Sequence, residues 1–145
     1  MNEWSYLPNA AHIDRILADL KANPDRWIAV VNSATYPDAY DAARTAIYTA
    51  AALAAWTAAL AAWTAARTAA WNAARDAAWR AASAAFAYDA ARTAILALIA
   101  YDDCAYLLNE KPEDVHMFAL LGQPAAILLY PACLALSEQK EKELT

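Results

Sequence analysis

Apolar residues recur at helical spacing from the first element onward. Ile13, Ile16, Leu17 and Leu20 predict a helix over Ala10 to Ala22, with one face meant for burial and Asn9 placed to cap it. Asn23-Pro24 ends that helix. Pro24 can open a second short one, Asp25 to Ser33, rich in apolar residues (Trp27, Ile28, Val30, Val31). Tyr36-Pro37-Asp38 then begins an alanine-dominated segment reaching Leu108 with neither Gly nor Pro inside it. From Thr93 its side chains grow larger: Ile95, Leu96, Leu98, Ile99, Tyr101, Tyr106, Leu107, Leu108. Asn109 to Pro112 reads as a loop. Pro112-Glu113-Asp114 opens a short helix that Gly122 can close. Pro124 starts a last apolar helix, Ala125 to Leu136, with a kink expected at Pro131 and a charged, frayed tail after it.

Within the alanine segment the repeat is four residues long, as in WTAARTAAWNAARDAAWRAAS. At about 100° per residue, Leu53, Trp56, Leu60, Trp63, Arg67 and Trp71 share one broad face. Alanines fill the opposite face, among them Ala51, Ala54, Ala55, Ala58 and Ala59. A smooth alanine face admits a neighbouring helix at short interaxial distance, and the Trp face fills space on the other side. Both faces are therefore expected to be covered. A period of four overshoots the helical turn, so the stripe rotates ~40° per repeat and meets different neighbours along its length. One unbroken helix would be ~105 Å long, too long for a compact domain of this size. A break is expected between Arg80 and Tyr88. A duplication supports two helical units: Ala39 to Ile47 and Ala87 to Ile95 both read AYDAARTAI.

Composition narrows the class. With 145 residues, one Gly and Pro confined to the ends, the chain reads as a single all-α domain. Its parts are residues 1–36 (short helices), 37–108 (the alanine segment) and 109–145 (C-terminal helices and tail). The net charge of -5 argues against a nucleic-acid coat. Basic residues in the alanine segment are all Arg: Arg44, Arg67, Arg75, Arg80 and Arg92. Thr45 to Ala66 carries no charge, but Ala and Thr favour a bilayer weakly and no basic flank biases one side, so membrane insertion is not expected. Cys104 and Cys133 read as buried free thiols. The N-terminal residues lack a signal-peptide pattern, so a cytoplasmic setting is expected.

Candidate chemistry centres on the repeated Tyr-Asp-Ala-Ala-Arg unit. Asp41 lies three residues before Arg44 and Asp89 three before Arg92, with Tyr40 and Tyr88 four before the same arginines. That spacing builds an intrahelical ion pair with a ring against the guanidinium. Alternatively Tyr40, Arg44, Arg67, Arg75, Tyr88 and Arg92 receive an anionic ligand, a flat group stacking on Tyr or Trp. Trp56, Trp63, Trp71 and Trp79 read as packing or interface residues before a base-stacking platform. Asp102 and Asp103 point about 100° apart on a helix, which disfavours a metal site with His116 or Glu113. His12 has no second His or Cys at ligand spacing. No metal, cofactor or catalytic residue is assigned, and no phosphate loop, HExxH or nucleophile elbow is present.

The repeat WTAARTAAWNAARDAAWRAAS, with LALIAYDDCAYLL and LLGQPAAILLYPA, resembles the uncharacterised alanine-rich tetrad-repeat proteins of bacteriophages and prophages. That resemblance implies a phage or bacterial origin and no catalytic residues. The expectation is an all-α helical bundle with one or two long Ala/Trp-rich central helices and short flanking ones, associating with itself. Its expected function is non-enzymatic binding, sequestering or blocking a host protein or a small anionic, nucleotide-like ligand as a host-defence antagonist. The alternative is a structural component of a virion or other oligomeric particle.

Overall fold

A computed structural model of the chain describes residues 3–32, 49–62, 65–82 and 84–144. It is an all-α bundle, with no strand among the described residues. In chain order the helices are α1 (Ala10–Ala22), α2 (Pro24–Asn32), α3 (Ala50–Ala62), α4 (Ala65–Ala81) and α5 (Ala85–Ala100). A 3-10 turn (Ala105–Asn109) follows, then α6 (Pro112–Leu120) and α7 (Pro124–Leu144). Prolines at the starts of α2, α6 and α7 set a helical φ where no backbone donor is needed. Gly122 closes α6 at φ +89°, the left-handed conformation that an L side chain resists, and Gln123 N–H donates back to Phe118 C=O at 3.2 Å. Within the interval expected to hold a break, Arg80 to Tyr88, α4 ends at Ala81 and α5 begins at Ala85, with Ala84 extended (φ -151°, ψ 157°). The last helix continues through Pro131 and the charged tail to Leu144, beyond the expected end at Leu136.

Among the alanine-rich helices, α5 is the one that the others pack around. Every residue from Thr93 to Ala100 is buried, and α1, α2, α3, α4 and α7 all lie against it. The second AYDAARTAI copy supplies its first half, and the large side chains Ile95, Leu96, Leu98 and Ile99 fill its second. Full burial of each such aliphatic side chain is worth about 1.5–3 kcal/mol. The small residues Ala87, Ala90, Ala91, Ala94 and Ala97 let neighbours close on it. A single cluster of buried side chains extends from Trp4 to Leu136.

Both faces of α3 are expected to be covered, but the described residues cover one side only. Ala52, Ala55 and Ala59 are buried with Trp56 at their edge, whereas Leu53 is 68% exposed. Close approach of α3 to α5 and α7 selects the smallest side chains for the contact, and Leu53, about 100° away, is left outside. The outward face (Ala50, Ala51, Leu53, Ala54, Thr57, Ala58) is exposed, with no cover among the described residues.

The C-terminal end of α5 leaves carbonyls without intrahelical partners, and distant residues satisfy them. Asn9 is a correction to the expected cap. Its side chain makes no cap bond to α1; its Nδ2 donates instead to Leu98 C=O and Tyr101 C=O, each at 2.9 Å. An Nη1–H of Arg67 donates to Ile99 C=O, placing a cation at the negative end of the helix dipole. Cys104 Sγ–H reaches Ala97 C=O and Tyr101 C=O at 3.5 and 3.3 Å. Both cysteines are buried and free, as expected. Burial pushes the Cys104 thiol up to about 12, so it is inert at neutral pH.

A buried ion pair joins α1 to α2. Asp19, 8% exposed, accepts from Arg26 Nη1 (2.8 and 3.1 Å), Trp27 Nε1 (2.8 Å) and Asn23 Nδ2 (3.2 Å). At the start of the chain, Trp4 Nε1–H donates to Asp14 Oδ1 at 2.8 Å and pins the lead segment on α1. Among the described residues, no helix is long and apolar enough to cross a membrane.

Candidate binding site: an arginine held between aromatic rings

The sequence Tyr-Asp-Ala-Ala-Arg on one helix sets three side chains on neighbouring turns. In α5 this produces an ion pair in which Arg92 Nε–H donates to Asp89 Oδ1 at 3.0 Å. The guanidinium carbon lies 5.6 Å from the Tyr88 ring centroid, and α3 brings the Trp56 ring to 4.7 Å. Such cation–π contacts are worth about 0.5–2 kcal/mol each, more as the cation is desolvated. Arg92 is 29% exposed and Asp89 17%, so the pair is partly shielded. Among the described residues, the Nη groups of Arg92 make no hydrogen bond.

Two edge-to-face ring pairs extend the cluster. Trp56 meets the buried Trp71 of α4 at 5.6 Å and 78°. On the other side Tyr88 meets Trp79 of α4 at 4.9 Å and 87°. Trp79 itself is 65% exposed. A row of aromatic rings interrupted by one guanidinium therefore runs from the core at Trp71 to the surface at Trp79, across α3, α4 and α5.

The other candidates are placed elsewhere. Arg67 is committed to structure: Nη1 and Nη2 grip both oxygens of Asp102, at 3.0 and 3.2 Å, in addition to the Ile99 carbonyl. Donating to the Asp102 carboxylate raises the Arg67 pKa further, against the opposing effect of burial. Arg75 lies 3.7 Å from Asp76, both well exposed, a geometry that contributes little to stability. Tyr40, Arg44 and Trp63 lie outside the described residues, so only the second copy of the repeat is seen as a cluster. His116 packs against Tyr130, ring centroids 5.2 Å apart. Burial pushes the Tyr130 hydroxyl up to about 12. No three His, Cys, Asp or Glu among the described residues are grouped to hold a metal ion.

The i, i+3 and i, i+4 contacts of Arg92 were legible in the repeat, but its third wall was not. Trp56 comes from another helix 36 positions earlier, and nothing local specifies that meeting. The same holds for Arg67 with Asp102 and for Asn9 with Leu98. Nor does any protein-family model, curated protein or solved structure match this chain.

Proposed function

We propose that this chain is a non-enzymatic binding protein that blocks or sequesters a protein partner. In the phage or prophage setting implied by the resemblance of its repeat, that partner is a host protein met in the host cytoplasm, and the outcome is antagonism of host defence. The reading is carried by Trp79. A tryptophan 65% exposed on a helix, with Arg75 one turn before it and Arg80 beside it, has the composition of an interface hot spot. Exposed Leu53 on α3 and the cluster of Met117, Leu120 and Leu121 at the end of α6 add further apolar surface. Trp79 contributes little to the core, so its removal leaves the bundle intact while deleting the anchor. Affinity capture from host lysate with the native chain should enrich one protein that Trp79→Ala fails to retain. Equal capture by both forms contradicts the assignment.

A second reading, a structural component of a virion or another oligomeric particle, is favoured by the outward face of α3. Across its 13 residues this helix has no charge, and its exposed side chains are Ala, Leu and Thr. A second copy can approach that face closely, and two-fold pairing sets like surface on like. Sedimentation velocity of the purified chain at micromolar concentration should then report a closed oligomer. A compact monomer removes this reading and leaves the first standing.

A further inference from the structure

We propose that Arg92 is the receptor of a second, small-ligand site, one that takes a singly charged oxyanion carried on a flat ring. This stands apart from the protein-partner reading and rests on the state in which the fold holds one guanidinium.

An arginine in solution carries about 2 kcal/mol of rotamer entropy that an anion must remove on binding. Arg92 has already lost most of that freedom. Its guanidinium carbon lies over the Trp56 ring at 4.7 Å and over the Tyr88 ring at 5.6 Å, and Nε is anchored to Asp89 at 3.0 Å. With Nε engaged, the donors left over are on the two Nη groups, which have no hydrogen-bond partner among the described residues. The side chain is still 29% exposed, so it is open in part to solvent. A fork fixed in plane with its outer donors uncommitted is preorganised for an oxyanion. Arg67 makes the contrast, since its Nη groups are taken by Asp102 and by a helix carbonyl.

Charge and shape define the ligand further. Asp89 offsets the charge of the guanidinium it pairs with, and its carboxylate repels a dianion more strongly than a monoanion. A monoanion accepting from the fork is favoured. Trp79, touching Tyr88 edge to face at 4.9 Å, presents an exposed ring on which a planar group can stack. The ligand class is therefore an aromatic or heteroaromatic monoanion, carboxylate or phosphodiester in kind. A long polyanion such as nucleic acid is disfavoured by the chain's net charge of -5.

The test uses three single-ring probes: benzoate (monoanion), phenyl phosphate (dianion near neutral pH) and benzamide (neutral). Indole N–H signals of the full chain are followed by NMR, with Trp56 and Trp79 assigned by Trp→Phe substitution. Benzoate should shift both signals saturably, and benzamide and phenyl phosphate should bind several-fold more weakly. Arg92→Lys keeps the charge but not the planar fork, and it should weaken benzoate at least tenfold while its thermal unfolding stays within a few degrees of native. Asp89→Asn should bring phenyl phosphate level with benzoate. The proposal is overturned if benzamide binds as well as benzoate, if Arg92→Lys binds benzoate like the native chain, or if no probe gives a saturable shift. Tighter binding of phenyl phosphate than benzoate by the native chain overturns the monoanion assignment.

Discussion

Asp19→Ala should lower the unfolding free energy by about 3–5 kcal/mol, the range found when one partner of a buried ion pair is removed. The carboxylate is held by four donated contacts from Asn23, Arg26 and Trp27, and both Asp19 and Arg26 are almost out of contact with water. Its loss leaves the Arg26 guanidinium and the Trp27 indole N–H without their acceptor where water reaches them poorly. Trp27 is itself 1% exposed, so it cannot turn out to solvent without opening the contact of α2 with α5 and α7. Urea unfolding measures the change. A loss under about 1 kcal/mol would place the pair among surface bridges and contradict its structural role.

The second large effect separates two leucines of the same alanine-rich segment. Leu96→Ala, in the fully buried half of α5, should destabilise by about 2–5 kcal/mol, through lost transfer energy and the cavity left behind. Leu53→Ala, on the outward face of α3, should change stability by less than about 0.5 kcal/mol. Comparable losses in the two variants would mean that α3 is turned the other way in the folded chain.

These effects show where the sequence was informative. Spacing located α1, α2 and α6 closely, because each is bounded by a proline or a left-handed glycine whose effect is local. The ion pair of Asp89 with Arg92 was equally legible, since a helix fixes residues three apart whatever surrounds it. The direction of α3 was not. In a helix made almost wholly of alanine the hydrophobic pattern has no contrast, so the inward face is decided by how closely α5 and α7 approach, a tertiary property. Cover is therefore expected on both sides, and Leu53 on the large-residue side is exposed instead. Asn9 failed as a cap for a related reason. A helix N-terminus offers its donors to water as readily as to a side chain, whereas the buried carbonyl of Leu98 has no such recourse and draws the amide across the bundle, with Tyr101 C=O as a second acceptor. The Asp19 network left a fainter signal: an acid beside the apolar stripe of Ile13, Ile16 and Leu20, followed within eight residues by Asn23, Arg26 and Trp27.

On the proposed function, the chain holds another protein through the surface around Trp79. Native mass spectrometry of untagged protein purified from its own cells tests it most directly, because mass reports partner and stoichiometry together. A species heavier than this chain by the mass of a different protein is expected, and it should be absent when Trp79→Ala is purified in the same way. Recovery of the native chain alone, or only as multiples of its own mass unaffected by Trp79→Ala, would contradict it.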